Sequence, residues 1–359
     1  MAKGKFQSKT YPVSDPAADR TLPIVPGTFP QRSADTIRQL LGRGLSESTK
    51  RAYREDLEYF WAWAQEAARQ DERYPISVDL ILQFVADHLG EMDPAVERRL
   101  IEKGVKAGTR RHSLGTVKRR LATLSIAHEI RDFENPVRHK YVRQVLRNAA
   151  RLPGNAVKRK KAITADILED MIRTCRGGLL DLRDRALLLT GFSSGGRRRS
   201  ELAAMQFSEL TAVEGGWVLH IPRSKTDQSG KGMNVPVFGP AAEALEKWIK
   251  AARIREGRLF RGVTAAGKVT NGITGRQIAR IVKNRLESAG YDPSEYGAHS
   301  LRSGFITESG RQRISLADTM ALTGHLCIAT VLIYHRAGEV TKNPAGHLLA
   351  QDRFGKRRR

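Results

Sequence analysis

The sequence predicts a mainly α protein in two parts: an all-α basic domain, then a larger, mostly helical domain holding a small antiparallel sheet. Three observations predict this. Apolar residues return at helical spacing through most of the chain. The stretch that reads as strand, Trp217–Ile221 with Asn234–Val237 as its partner, is short and frames a turn-rich loop, residues 222–232. And residues 152–162, with Pro153-Gly154 and the block Lys158-Arg159-Lys160-Lys161, interrupt the helical pattern.

The elements follow in order. Residues 1–30 carry Pro12, Pro16, Pro23, Pro26 and Pro30 and read as an extended arm. The first domain spans 31–151, with helical patterning from about Ser33. Ser46 or Ser48 suits a helix N-cap, where a hydroxyl accepts an otherwise unpaired backbone N–H. In that helix Leu57, Phe60, Trp61 and Ala64 share one face, with Lys50, Arg51 and Arg54 opposite. Tyr53 and Tyr59 have core spacing. Val78–Leu89 turns Ile81, Phe84, Val85 and Leu89 inward. Leu114, Val117, Leu121 and Leu124 make the next stripe, and Thr116, Lys118, Arg119 and Arg120 fall largely off it. A last helix, about Val137–Arg151, puts Arg143 and Arg147 on its polar side. His88 and His128 fall within helices as structural or surface residues. The linker is 152–162.

The second domain, 163–359, opens with a helix from Thr164 that has Asp166 and Glu169 near its start, where negative charge suits the helix dipole. Leu179–Thr190 is more apolar and is expected at the centre. After the hairpin the pattern is helical again at Ala241–Arg253, Thr274–Ala289, His299–Gly310, Leu316–Leu322 and Ile328–His335.

Composition narrows the function. Lys and Arg number 62 against 38 Asp and Glu, a net charge of +24 over 359 residues. A surplus of that size calls for a polyanion, most simply nucleic acid. Two cysteines, Cys175 and Cys327, exclude a disulfide framework and a cysteine-rich zinc site, and their apolar neighbours suggest core thiols. No run approaches the ~18 apolar residues that span a bilayer, and the N-terminus lacks the apolar segment of a secretory signal. An intracellular protein in a reducing compartment is expected.

The chemistry gathers late in the chain. His299 and Arg302 are followed by Leu322-Thr-Gly-His325, and Tyr334 comes nine residues after that histidine. A neutral tyrosine hydroxyl, with a pKa near ~10, is a weak nucleophile unless cations stabilise the developing anion. Upstream, Gly195-Gly196 precede Arg197-Arg198-Arg199-Ser200-Glu201-Leu202. A guanidinium suits a phosphate because its planar fork holds two oxygens at once. Glu201 stands three residues after Arg198, on the same helix face, and reads as the partner that orients it. Lys225, in Ser-Lys-Thr-Asp-Gln, competes with Lys231 on the hairpin loop. At Thr274-Gly-Arg276-Gln277, Arg276 and Gln277 can pair with purine edges. Lys50, Arg51, Thr116, Lys118, Arg119 and Arg120 are candidate DNA contacts, the basic ones suited to phosphates, which position without specifying.

Arg198-x-Ser-Glu201-Leu, Lys225, His299-x-Leu-Arg302, Leu-Thr-Gly-His325 and Tyr334, in that order, resemble the tyrosine site-specific recombinases of the phage-integrase family, Cre-like in architecture. The Ser-Glu-Leu run selects Arg198 from its neighbours. The resemblance covers roughly residues 40–340. It implies a SAM-like core-binding domain followed by the tyrosine recombinase catalytic fold. It further implies that Tyr334 attacks a DNA phosphate, that Arg198 and Arg302 clamp the non-bridging oxygens and that His325 donates to one of them. Lys225 would protonate the leaving 5′-oxygen and His299 would assist proton transfer. The implied product is a 3′-phosphotyrosyl bond, rejoined without ATP, metal or other cofactor. Implied partners are double-stranded DNA with inverted-repeat sites and other copies of the chain: a monomer when free, a tetramer on two paired sites, with the segment after Tyr334 docking on a neighbour. The implied setting is a bacterial or phage-encoded cytoplasmic protein at the nucleoid. A type IB topoisomerase and a non-catalytic DNA-binding regulator on the same scaffold are the alternatives.

Overall fold

The computed structural model describes residues 46–152, 159–222 and 232–339. The expected arm, the start of the helix near Ser33, linker residues 153–158, Lys225 and Lys231, and the segment after Glu339 lie outside the described residues. The chain divides into two compact units, Met1–Val157 and Lys158–Arg359.

In the first unit the described helices are α1 (Glu47–Ala68), α2 (Val78–Leu89), α3 (Pro94–Glu102), α4 (Leu114–Glu129) and α5 (Lys140–Arg151). Ser46, Ser77, Asp93 and Ser113 cap the first four, each side chain accepting an amide of the first turn. Each cap stabilises its helix by about 1 kcal/mol. The core is aromatic: Tyr59, Phe60, Trp63 and Phe84 pack with Ile81, Leu100, Leu121 and Leu124. Truncating Phe60 or Trp63 to alanine would cost about 3–5 kcal/mol.

Four readings need correction here. On α1 the buried face is Asp56, Tyr59, Phe60, Trp63 and Ala64, while Leu57 and Trp61 sit half-buried at its edges. The apolar count misses Asp56, whose carboxylate goes inside because Arg119, Arg120 and Thr123 meet it. α3 is an additional helix; Asp93-Pro94, a cap followed by proline at N1, marks it. The last helix starts at Lys140, after a separate 3₁₀ turn at Pro136–Arg138. And Arg120 is buried, with its guanidinium 3.2 Å from the Tyr59 ring centroid. It fills the gap between that ring and Asp56 and is not on the outer face.

The second unit contains α6 (Ala165–Arg173), α7 (Gly178–Ser193), α8 (Arg199–Ala204), β1 (Leu210–Val213), β2 (Gly216–Ile221), β3 (Met233–Phe238), α9 (Pro240–Ala251), α10 (Gly275–Ser288), α11 (Ser300–Arg311), α12 (Leu316–Thr323) and α13 (Ile328–Glu339). The sheet runs β1-β2-β3, all antiparallel, with Leu210 opposite Leu219 and Trp217 opposite Val237. β1 is a third strand beyond the expected hairpin; Gly215, with φ 77, makes its tight turn into β2. α7 is central. Its Ala186 and Leu187 face the sheet-side core with Trp248, and its Leu188 faces a second core with Ile163, Met171 and Leu301. The expected class, mainly α with a small antiparallel sheet, holds.

Two placements matter for the site. The stretch entering this unit is tied to α11: Ile163 N–H donates to Ser300 O at 2.9 Å and Ser300 Oγ donates to Lys161 O at 2.7 Å. A Cβ on Gly304 would lie 1.7 Å from Ile163 O, so only glycine permits that approach. The cysteine reading is corrected at one position. Cys175 is half-buried, but Cys327 is exposed at the start of α13, between Leu326 (80% exposed) and Ile328 (53%). Apolar neighbours in sequence did not bring burial, because that corner projects outward.

Candidate active site

A double-glycine turn gathers the site. Gly195 and Gly196 follow α7 with φ 96 and 67. A Cβ on Gly195 would stand 2.3 Å from Leu322 O, and one on Gly196 would stand 2.3 Å from Arg302 Cα. The turn therefore lets the backbones of α11 and the end of α12 close on the arginines that follow.

Arg198 is anchored as the sequence suggests: its Nη1 donates to Glu201 Oε1 at 2.6 Å and its backbone N–H to Oε2 at 3.1 Å. Arg302 is 5% exposed. Its Nε donates to His325 Nε2 at 3.3 Å, and its Nη2 donates to Thr323 O. His325 Nδ1 meets Thr323 Oγ1 at 2.8 Å. Arg302 Nη2 also lies 3.3 Å from His325 Nδ1, so the guanidinium rests against both ring nitrogens. Burial first, then Arg302, Arg198, Arg197 and His299 in that order, push the His325 pKa down to about 4. Burial and the Arg198 and Arg197 guanidiniums likewise bring Arg302 down to about 10.

Arg197 also enters the cluster, although the sequence reading set it aside. It is 2% exposed, donates from Nη2 to Leu322 O and lies 3.9 Å from Glu201 Oε2. The signal available was position alone, one residue from Arg198 after the paired glycines. Arg199 is half-buried and reaches Gly275 O at 3.5 Å. Arg197 and Arg198 thus share one carboxylate, Glu201, and Arg302 is bonded to His325 and to backbone carbonyls, so among the described residues the guanidiniums here outnumber the carboxylates paired with them.

His299 is exposed at the N-cap of α11, and Ser303 N–H donates to its carbonyl at 2.8 Å. It is the last in order of the four side chains that lower the His325 pKa. Tyr334 is half-buried on α13. Among the described residues no hydrogen bond joins its hydroxyl to Arg198, Arg302 or His325. Its helix is seated by the next residue: His335 Nε2 meets Ile314 O at 2.9 Å. Lys225 belongs to the loop outside the described residues, whose flanks are β2 and β3. Among the described residues no cluster of His, Cys, Asp and Glu could hold a metal ion.

The candidate DNA contacts divide. Arg51, Lys118 and Arg276 are exposed. Lys50 pairs with Glu47 at 2.9 Å, and Arg119 is half committed to Asp56. Thr116 lies in the first turn of α4, its amide bound by Ser113. Arg120, buried on Tyr59, has no outward face to offer. Gln277 is also diverted: its Oε1 accepts from Thr274 N–H at 2.8 Å, closing a capping box at the start of α10.

Residues 161–339 match the phage integrase family. An integrase/recombinase xerD homolog of Selenomonas ruminantium is 29% identical over 328 residues, covering 88% of this chain and 89% of its own length. Tyrosine recombinase XerC of Xanthomonas axonopodis pv. citri (strain 306) is 28% identical over 300 residues, covering 81% and 87%. Among solved structures, the Tn1549 transposon integrase in complex with transposon right end DNA has a TM-score of 0.58 at 16% identity, over 86% of this chain and 98% of that one. The XerH site-specific recombinase bound to palindromic difH substrate has a TM-score of 0.56 at 18% identity, over 84% and 80%. These two share the fold of the chain.

Proposed function

We propose for this chain, a tyrosine recombinase of the phage integrase family and so an enzyme that cleaves and rejoins DNA, a site-specific strand exchange through a 3′-phosphotyrosyl intermediate on Tyr334. The observation that carries the reading is the buried cation cluster. Arg197, Arg198 and Arg302 hold more positive charge than Glu201 balances, and a scissile phosphate supplies the missing anion.

The steps follow from the side chains. Tyr334 attacks phosphorus, and charge builds on the non-bridging oxygens. Arg198, held by Glu201, and Arg302 receive those oxygens. A phosphate draws Arg302 off the His325 ring and places negative charge beside it, which favours protonation and turns His325 into a donor. Lys225 protonates the departing 5′-oxygen, and His299 assists proton transfer at the rim. The phosphotyrosyl bond keeps the free energy of the phosphodiester, so a second strand end can displace Tyr334 without ATP or metal.

Site specificity falls to the rest of the chain. Arg276 is the candidate base reader, and Lys50, Arg51, Lys118 and Arg119 hold phosphates. The substrate of the XerH structure is palindromic, which supports inverted-repeat sites here, two protomers to a site. Two such sites would meet in a tetramer of a protein that is monomeric when free. The setting is the bacterial cytoplasm. Among the described residues no single helix is long and apolar enough to cross a membrane.

The test is a nicked suicide duplex carrying a site selected by binding from random sequences. Wild type forms a covalent adduct; Tyr334→Phe forms none and keeps its affinity for the duplex. An adduct that persists in Tyr334→Phe sinks the nucleophile assignment. Relaxed plasmid without recombinants marks the topoisomerase alternative.

A further inference from the structure

Arg197 is an arginine held where water does not reach, and such a group stays charged only if its surroundings favour it. What it faces is the end of a helix. The last carbonyls of a helix lack intrahelical partners and carry the negative end of its dipole. In α12 the Met320 carbonyl accepts from Gly324 N–H at 2.8 Å. The Leu322 carbonyl accepts from Arg197, and the Thr323 carbonyl accepts from Arg302. Two guanidiniums therefore close the helix end that passes through Gly324, with φ 67, into His325. The Arg197 fork also reaches Met233 Sδ, 3.6 Å away at the start of β3. Its own backbone is fixed, its N–H donating to Gly191 O at 2.7 Å.

The two caps differ in what the reaction asks of them. Arg302 has to turn its donors toward a phosphate and loosen its hold on Thr323. Arg197 is enclosed by the glycine turn, Met233 and Leu322, and has no such second task. We infer that Arg197 is a positioning residue: it pins the end of α12 through Leu322 O, so that His325 keeps its place while Arg302 moves onto the DNA phosphate. The purpose rests on the phosphotyrosyl reading of the site; the contact does not.

The test uses the full-length protein without DNA, comparing wild type with Arg197→Leu and Arg197→Lys by backbone amide exchange and by NMR titration of His325. In Arg197→Leu the Gly324 amide, bonded to Met320 O, exchanges about tenfold faster. The His325 midpoint rises from about 4, because the Arg197 guanidinium, one of the three arginine charges that hold it down, is gone. Arg197→Lys keeps the charge and one donor, so the midpoint stays low and most of the protection returns. Amides of α9 around the buried Trp248 exchange alike in all three, which separates a local pin from general loosening. Wild-type exchange and midpoint in Arg197→Leu overturn the assignment. If that variant does not fold, Arg197→Gln takes its place; it lacks the charge, and an unmoved His325 midpoint overturns the assignment equally. Adduct formation on the suicide duplex is read separately. There Arg197→Leu slows the reaction by about ten- to a hundredfold. A wild type that forms no adduct defeats the phosphotyrosyl reading and leaves the exchange result standing.

Discussion

Gly310 on α11 comes so close to His335 on α13 that a Cβ at position 310 would stand 2.1 Å from the His335 carbonyl oxygen. The residue beside that carbonyl is Tyr334. Gly310→Ala has to push α13 away from α11 and take the tyrosine with it. A displacement of about 1 Å at a reacting group can slow chemistry by about a hundredfold. Single-turnover adduct formation should therefore drop at least about tenfold, with duplex affinity unchanged. An unaltered rate would mean that α13 is not held to α11 in the reacting complex.

The Arg302–His325 contact predicts a response to anions. In the free protein His325 titrates near about 4, held down by burial and then by Arg302. Inorganic phosphate or vanadate bound among Arg198, Arg302 and His325 favours the imidazolium, so the midpoint should rise. Titration of the His325 ring by NMR with and without anion gives the sign directly. A midpoint that falls or stays fixed contradicts phosphate binding there.

Three histidines of the first unit make its stability depend on pH. Burial pushes His88 down to about 3 and His112 to about 4, and lowers His128 as well. Folded-state values below the unfolded ~6.5 mean that the unfolded chain binds more protons in between. Stability is then fully present above about pH 6.5 and falls as the pH drops toward 4. At pH 5 His88 alone accounts for about 2 kcal/mol. Urea unfolding at pH 7 and pH 5 measures it, and His88→Gln should flatten the profile.

Arg120 and Lys118, two residues apart on α4, should fail in different ways. Arg120→Met removes the cation stacked on Tyr59 and beside Asp56. Breaking a buried charge contact of this kind costs about 3 kcal/mol, and the salt dependence of DNA binding should stay as it was. Lys118→Ala should leave the melting temperature alone and lower the salt slope by about one. The reverse pattern would return Arg120 to the DNA surface.

Periodicity carried most of the fold. The inward face of α2 and the α4 stripe are visible as spacings, and the α10 boundaries follow from Thr274 as a cap. It failed where a polar residue goes inside. Asp56, Arg120 and Arg197 are buried because each meets an opposite charge, a ring or a carbonyl from a distant part of the chain, and no local pattern records that. β1, four residues long, was missed for want of length, and α3 because only Val96 and Leu100 of its residues are buried, too few to make a stripe. Of the site, the Arg198–Glu201 pair was legible from a three-residue spacing. The Arg302–His325 contact was legible only as two motifs in order. The choice between Arg197 and Arg198 as neighbours of Glu201 has no sequence answer, since both came into the cluster.

The stitch between the segment entering the second unit and α11 has a mechanical side. Ile163 and Lys161 are bonded to Ser300, and Ile163 O rests on Gly304. Arg302 lies between these two points on the same helix. A tug on the chain at residue 160 is met first by the turn at Pro293–Glu295, where Lys161 N–H donates to Glu295 O at 2.9 Å, and next by Ser300 on the helix that carries Arg302. The stitch works as a tendon with two anchors: what it ties down at the far end is the first turn of α11, within one turn of the arginine.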